Sequence, residues 1–428
     1  MAVFFTIFTV IILFFLAGMV LLRHLSDYEK KWILTVLFVA MIIRMGLSFI
    51  YIEYMGKPEL TGPDTFLYIR GGYGIVDKWN GLDYDKRYYS SEKKITHPGY
   101  IYTTAIFYFV FGKNMSVPAY FNALMGVLLI MLLARLFLTI FAWGVVKTFV
   151  LIMAFLPSSI IWNAAILKDT TILFMVVVAF YSYFQVVYRH RLSYIPGAVL
   201  PLVPLYFIRF YIVLVLIAVY LFSVFVNMSG LSIRKTFQGM AIALGMMAVL
   251  FAFGLGHDVS NVVDKQVSVD QLNKYQRGLS YGKTELYEDQ HYETGFDIIK
   301  YFPIRLIHFL FSPFPWQVVS LNSALGAFEV PLLWFLSIFV VRGLFFCLRH
   351  PRAREFLPII IYFVFLTVLY AIVESNIGTI YRMRYQILPF YIIMASIGLS
   401  LRKAHSLGVN SEYILSQKIR NIPVQAHA

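Results

Sequence analysis

Five places in this chain set acid–base or anion-binding residues against apolar surroundings. The first is Asp64, in Gly62-Pro63-Asp64-Thr65-Phe66-Leu67-Tyr68. A Gly-Pro pair turns the chain, and a carboxylate just beyond the turn has the reach to take a proton from a hydroxyl. Its plainer role is to N-cap the amphipathic piece from Thr65 to Trp79. The second is His97, in His97-Pro98-Gly99-Tyr100, a turn residue or a substrate contact. The third is the Lys168-Asp169 pair in SSIIWNAAILKDTT, which is either a helix-end marker or a second carboxylate with a cation beside it.

The fourth is Arg209, between the apolar runs PLYFI and FYIVLVLIAVY. Charge inside a membrane is costly and points to function unless the side chain snorkels to the interface. Arg44 and Arg135 lie in similar surroundings. The fifth is ESNIGTIYRMR, which carries Arg382 and Arg384. Guanidinium forks bind phosphate oxygens two at a time, and a lipid phosphate is the natural partner at such a boundary. Pairing with Glu374 or with acids of the long loops is the alternative.

Other chemistries lack their residues. The chain has no P-loop, no HExxH pair, no Cys/His cluster with zinc spacing and no GxSxG. The single cysteine, Cys347, lies in an apolar run and reads as structural.

The elements that must position these residues are membrane helices. The 428 residues are 60% hydrophobic and only 14% charged, against roughly a quarter charged in soluble domains. Phe (40) and Tyr (30) are abundant, as aromatic belts require. A span needs about 20 apolar residues. The predicted spans are 2–22, 32–53, 117–141, 146–163, 170–188, 194–209, 211–228, 237–256, 327–348, 356–373 and 384–401. The fold class is therefore an all-α polytopic membrane protein of about eleven transmembrane helices. Residues 1–403 form one transmembrane domain. The N-terminal run lacks the basic flank of a cleavable signal and reads as a retained span.

Basic residues in short loops mark the cytoplasmic side. Arg23, Lys30 and Lys31 follow the first span, Arg189 and Arg191 the fifth, and Arg234 and Lys235 the seventh. Arg349, Arg352 and Arg354 follow the ninth, and Arg402 and Lys403 the last. All fall on one side if the N-terminus is outside and the C-terminus cytoplasmic. The long loops 54–116 and 257–326 then face outward, each with an interfacial helix, at 99–112 and 298–316. The tail 404–428 reads as cytoplasmic and loosely held. The net charge of +14 fits topology and anionic lipid, with no soluble basic domain for nucleic acid.

This layout resembles the GT-C-fold integral membrane glycosyltransferases, which include protein O-mannosyltransferases, lipid A aminoarabinose transferases and bacterial envelope relatives. Asp64 with Tyr68 resembles their catalytic first loop. HPGYIYTTAIFYFVFGKN followed by Asn122 is similar to their proline, interfacial-helix and Phe-Gly passage. FLPSSIIWNAAILKD is similar to their span ending before a basic-acidic pair, and Arg209 stands where many members keep a basic residue. The chain departs from the pattern at Thr65, where mannosyltransferases have Glu, and in its extra N-terminal span. SPFPW and ESNIGTIYRMR are similar to segments of envelope polysaccharide proteins.

The resemblance implies a plasma-membrane enzyme that moves a sugar from a polyprenyl-phosphate donor to a glycan, lipid or protein acceptor, with inversion. Asp64 is then the base, and Asp169 orients it or the acceptor. Arg382, Arg384, Arg209 and Lys168 hold the donor phosphate, and Tyr68, His97, Tyr100 and Trp316 line the groove. No metal is required, although Asp64 and Asp169 together have the oxygen ligands for a divalent cation. Three other readings stand beside it: an O-antigen or exopolysaccharide polymerase using diphosphate-linked repeats, a lipid or polysaccharide transporter, and a non-catalytic membrane scaffold, which would not need the outer carboxylate and arginine set. A transporter predicts an inverted repeat, which the sequence does not show.

Overall fold

The computed structural model describes residues 2–58, 62, 64–82, 98–229, 292–318 and 321–416, together with Asn273, Gln276 and Leu286. Apart from short turns of other helix types, every named element among them is an α-helix. Six are long and apolar enough to cross a membrane, or eight if each of two sharply bent helix pairs is one span. The chain is a membrane protein.

Three of the eleven predicted spans account for the difference. The stretch 237–256 lies outside the described residues. The stretch 356–373 is a helix of 17 residues, Leu357–Val373, about 25 Å long against a hydrocarbon core of about 30 Å. The stretch 194–209 is not a span of its own. It splits into a five-residue helix and the head of a longer one, because Pro201 stands at the break and cannot donate to continue the first helix, while Pro196 and Pro204 sit in first turns where no donor is needed.

The described residues pack as two units, Met1–Phe137 with Val150–Val213, and Leu138–Phe149 with Leu214–Ala428. The first holds α1 (Ala2–Leu21), α2 (Asp27–Phe49), α3 (Thr65–Trp79), α4 (Gly99–Phe111) and α5 (Val117–Phe137). Its later elements are the end of α6 (Trp143–Phe155), α7 (Pro157–Ala164), α8 (Lys168–Val187), α9 (Ile195–Val199) and the start of α10 (Leu202–Ser229). Helix α2 begins at a capping box, in which Ser26 Oγ accepts from Glu29 N and Ser26 N donates to the Glu29 carboxylate. Helix α5 is the centre of this unit, buried along almost its whole length and packed by α1, α2, α4, α7 and α8. Helix α1, by contrast, exposes Phe4, Phe8, Phe15 and Val20, as a lipid-facing helix does.

Pro157 ends α6, and the chain bends by 55° into α7. The bend leaves carbonyls at the end of α6 without helical donors, and Arg44 supplies them. Its guanidinium donates to Ala154 O (2.9 Å), Met153 O (3.3 Å) and Ser159 Oγ (2.9 Å). Arg44 is fully buried and does not snorkel. Arg135 likewise donates to Val20 O and Leu21 O at the C-terminus of α1. Both arginines complete helix ends.

The second unit contains α11 (Gly295–Phe311), α12 (Leu321–Arg349), α13 (Leu357–Val373), α14 (Ile377–Arg384) and α15 (Leu388–Ser406). Helices α12 and α15 pack backbone to backbone through glycines. A Cβ on Gly343 would lie 2.1 Å from Met394 O, and one on Gly398 would lie 2.1 Å from Phe339 O. Helices α14 and α15 form the second bent pair, at 61°.

The tail departs from expectation. Helix α15 runs to Ser406, and the chain then returns to pack against this unit. Ala142 N donates to Ile414 O (2.8 Å), Ser416 N donates to Ile140 O (2.9 Å), and Ile414 and Leu415 are buried. The tail through Ser416 is therefore held, because its two apolar residues find an apolar seat beside Phe141. Residues 417–428 lie outside the described residues.

Candidate active site

In the first unit, the chemistry-bearing residues converge through close backbone contacts. Asp64 heads α3 and is half-buried. Its side chain makes no capping hydrogen bond, so the N-cap role does not describe it. Two residues earlier, a Cβ on Gly62 would lie 3.0 Å from the Leu167 side chain. The Asp64 turn therefore sits against the linker that leads into Lys168 and Asp169. These two are the first residues of α8, with Lys168 half-buried and Asp169 buried. Asp169 does not cap α8 either, since Leu167 occupies the cap position.

Asp169 pairs with Arg209, Oδ1 to Nη1 at 3.5 Å, with side-chain exposures of 1% and 9%. Arg209 lies inside α10 with φ −160° and ψ 82°, an extended residue in a helix. The helix bends there, and the guanidinium that leaves the helical path meets the carboxylate. The Arg209 charge is thus met by Asp169, which joins two predicted site residues into one ion pair.

Helix α4 closes on the same bend. A Cβ on Gly99 would lie 2.7 Å from the Phe207 carbonyl carbon, so only glycine permits this approach. The next residue, Tyr100, is fully buried and packs edge-on against the buried Tyr68, ring centroids 4.7 Å apart. The Tyr100 hydroxyl accepts from Asn122 Nδ2 at 2.9 Å. That same amide donates to Ala165 O (2.6 Å) and Leu167 O (3.0 Å), and Asn122 Oδ1 accepts from Thr171. Asn122 therefore fixes the α7–α8 linker and the α4 tyrosine together. Tyr68 and Tyr100 are core residues that support the cluster rather than open lining. His97 lies outside the described residues.

No protein-family model and no curated protein matches this chain. The functional reading therefore rests on the residues themselves.

In the second unit, Arg382 and Arg384 are buried rather than laid out at a boundary. Arg384 is 2% exposed and donates through Nη1 to Leu310 O (2.9 Å) and Ser312 O (2.5 Å), at the C-terminal end of α11. Among the described residues, its Nε and Nη2 atoms have no hydrogen-bond partner. The guanidinium edge that grips an oxyanion with two parallel bonds is thus unmade. The Tyr381 ring lies 5.4 Å from the guanidinium, and the buried carboxylate of Glu329 acts on both side chains electrostatically. Trp316 is 76% exposed and stacks on Phe314, centroids 4.9 Å apart. Phe314 in turn meets His308 and Trp334. Burial lowers the His308 pKa, and its Nδ1 lies 3.1 Å from Ser312 Oγ.

Among the described residues, no three of His, Cys, Asp and Glu gather as a metal site. Sequence reasoning underused Asn122, the hub of the first cluster, and missed Glu329. Each carried a signal: a lone amide in VPAYFNALMG and a lone carboxylate in GAFEVPLLW.

Proposed function

We propose that this chain is a membrane glycosyltransferase that takes a sugar from a polyprenyl-phosphate carrier, with Asp64 as general base. An acceptor hydroxyl oxygen attacks the anomeric carbon from the face opposite the phosphate. The carbon–oxygen bond to phosphate breaks, and the phosphate leaves with the bonding electrons. Asp64 takes the hydroxyl proton. The anomeric centre inverts, and no metal is needed for the balance.

In the first unit, this role for Asp64 is supported by its place at a helix head that it does not cap, beside the Lys168-Asp169 turn. Asp169 and Arg209 hold that turn and the α10 bend together. They are positioning residues on this account. The transfer belongs on the outer face, where the charge pattern of the short loops puts residue 64.

The observation that carries the proposal is Arg384. A guanidinium that is 2% exposed, with two donor atoms that no described residue meets, is costly to keep, because each missing hydrogen bond to a charged group costs more than one to a neutral group. A phosphate oxygen pair satisfies that edge. Those are the donors that grip a carrier phosphate by two oxygens at once. The exposed Trp316 on Phe314 offers an aromatic face to a prenyl chain or a sugar ring.

The test compares Arg384→Lys with the wild type for binding of a polyprenyl monophosphate. Lysine keeps the charge and loses the fork. Binding weaker by tenfold or more, in a variant that still elutes as the folded protein, supports the phosphate role. Unchanged affinity removes it.

A further inference from the structure

A second basic constellation lies in the second unit, away from Arg384, and the proposed reaction does not use it. The C-terminal ends of α12 and α15 flank a cavity of about 630 Å³. Arg342 and Arg349 reach it from α12, and Arg402 and His405 from α15. Its apolar lining is Val341, Phe345 and Leu401. Among the described residues, no carboxylate lines it.

The sequence makes this constellation by helical spacing. Residues 342, 345 and 349 recur at i, i+3 and i+7, and residues 402 and 405 at i and i+3, so each set shares a helix face. The glycine contacts at Gly343 and Gly398 draw the two helices together, which brings the faces to one concavity. The Arg349 guanidinium lies 5.3 Å from the Phe345 ring centre, and the Arg402 guanidinium lies 5.8 Å from that of Phe339. Aromatic contacts of this kind hold a cation without neutralising it.

Three guanidiniums around one cavity repel each other, and its described lining supplies no opposite charge. An anion relieves that repulsion. The cavity also has an apolar side that opens to the membrane-facing surface of α12, where Val341 (52%), Phe345 (50%) and Ile338 (60%) are exposed. A free phosphate or nucleotide has no use for such a floor. A phospholipid has use for both halves.

We propose that this cavity binds an anionic phospholipid, with its headgroup phosphate on Arg342, Arg349 and Arg402 and an acyl chain along Val341, Phe345 and Ile338. Both helices that form it are candidate spans or part of one, so the cavity lies where a span leaves the bilayer. The positive-inside pattern puts it in the cytoplasmic leaflet. This site stands whether or not the chain transfers sugars.

The test uses the full-length protein in neutral detergent. Added phosphatidylglycerol is compared with phosphatidylcholine by native mass spectrometry of bound lipid and by thermal unfolding. Three arginines imply a preference of roughly a hundredfold for the anionic lipid. The Arg342→Gln/Arg402→Gln double variant should lose about thirtyfold of it, with its unfolding in phosphatidylcholine unchanged. Lys30→Gln/Lys31→Gln, which removes basic residues elsewhere, should keep the preference. Equal binding of the two lipids overturns the proposal. So does a preference that survives the arginine variant or is lost in the lysine variant. Stabilisation by inorganic phosphate equal to that by phosphatidylglycerol also overturns it, since it marks a free-anion site.

Discussion

The ion pair between Asp169 and Arg209 gives the most exacting test of the first unit. Its atoms are 3.5 Å apart and both side chains are nearly out of solvent. At an effective dielectric of about 20, two charges at that separation attract by about 5 kcal/mol. Desolvation of the two ions offsets most of this, so the pair adds little net stability against an apolar substitute. Breaking it from one side is different, because a buried charge loses the opposite charge that offsets its desolvation. Asp169→Leu or Arg209→Met alone should therefore destabilise the fold by about 3–5 kcal/mol, roughly two to nearly four powers of ten in the folded-to-unfolded ratio. The double variant should return close to the wild type. Unfolding of all four proteins in one detergent, as a double-mutant cycle, measures the coupling. Single variants within about 1 kcal/mol of the wild type, or a double variant that costs the sum of the singles, would refute a buried, coupled pair. Transfer activity adds a second readout. A double variant that regains stability without regaining activity shows that the pair positions the site as well as holding the fold.

Two further outcomes follow from the second unit. Gly398→Val should destabilise it strongly, because its Cβ would meet the Phe339 carbonyl oxygen at 2.1 Å and backbone cannot move aside cheaply; thermal unfolding that matches the wild type would contradict this helix contact. Burial holds the His308 pKa below its ordinary value, so the unfolded chain takes up the proton first. Stability should then fall as pH drops below about 6.5, and the wild type should lose more than His308→Gln between pH 7 and 5; identical pH dependence would show that His308 is not the group responsible.

Much of the architecture was legible as apolar length. Ala2–Leu21 carries no charged residue and Val117–Phe137 only Asn122 and Arg135 among apolar neighbours, so hydropathy alone finds both spans. What composition does not encode is how a run bends. Residues 194–209 have the hydropathy of a span, but Pro201 and the extended Arg209 divide them differently. The tail is polar on average, yet two residues, Ile414 and Leu415, decide that it docks. At the site, residue type was a good guide to importance and a poor guide to role. Arg44, Arg135 and Arg209 look alike in sequence. In the structure two of them complete helix ends and one pairs with a carboxylate. Partner identity depends on contacts between segments far apart in the chain, as Arg44 shows by reaching Ala154. Asn122 was under-weighted for the same reason, since its four partners come from three other segments.

The most direct measurement for the proposed function is transfer from a polyprenyl-monophosphate sugar by purified wild type and Asp64→Asn. A positioned base is worth about 10²–10⁴-fold. The wild type should release polyprenyl phosphate and give a product of inverted anomeric configuration. Asp64→Asn should lose activity by that factor while folding and binding the donor normally. No donor consumption by the wild type with any acceptor class, or an Asp64→Asn rate within about twofold of the wild type, far inside the range expected of a base, would contradict it.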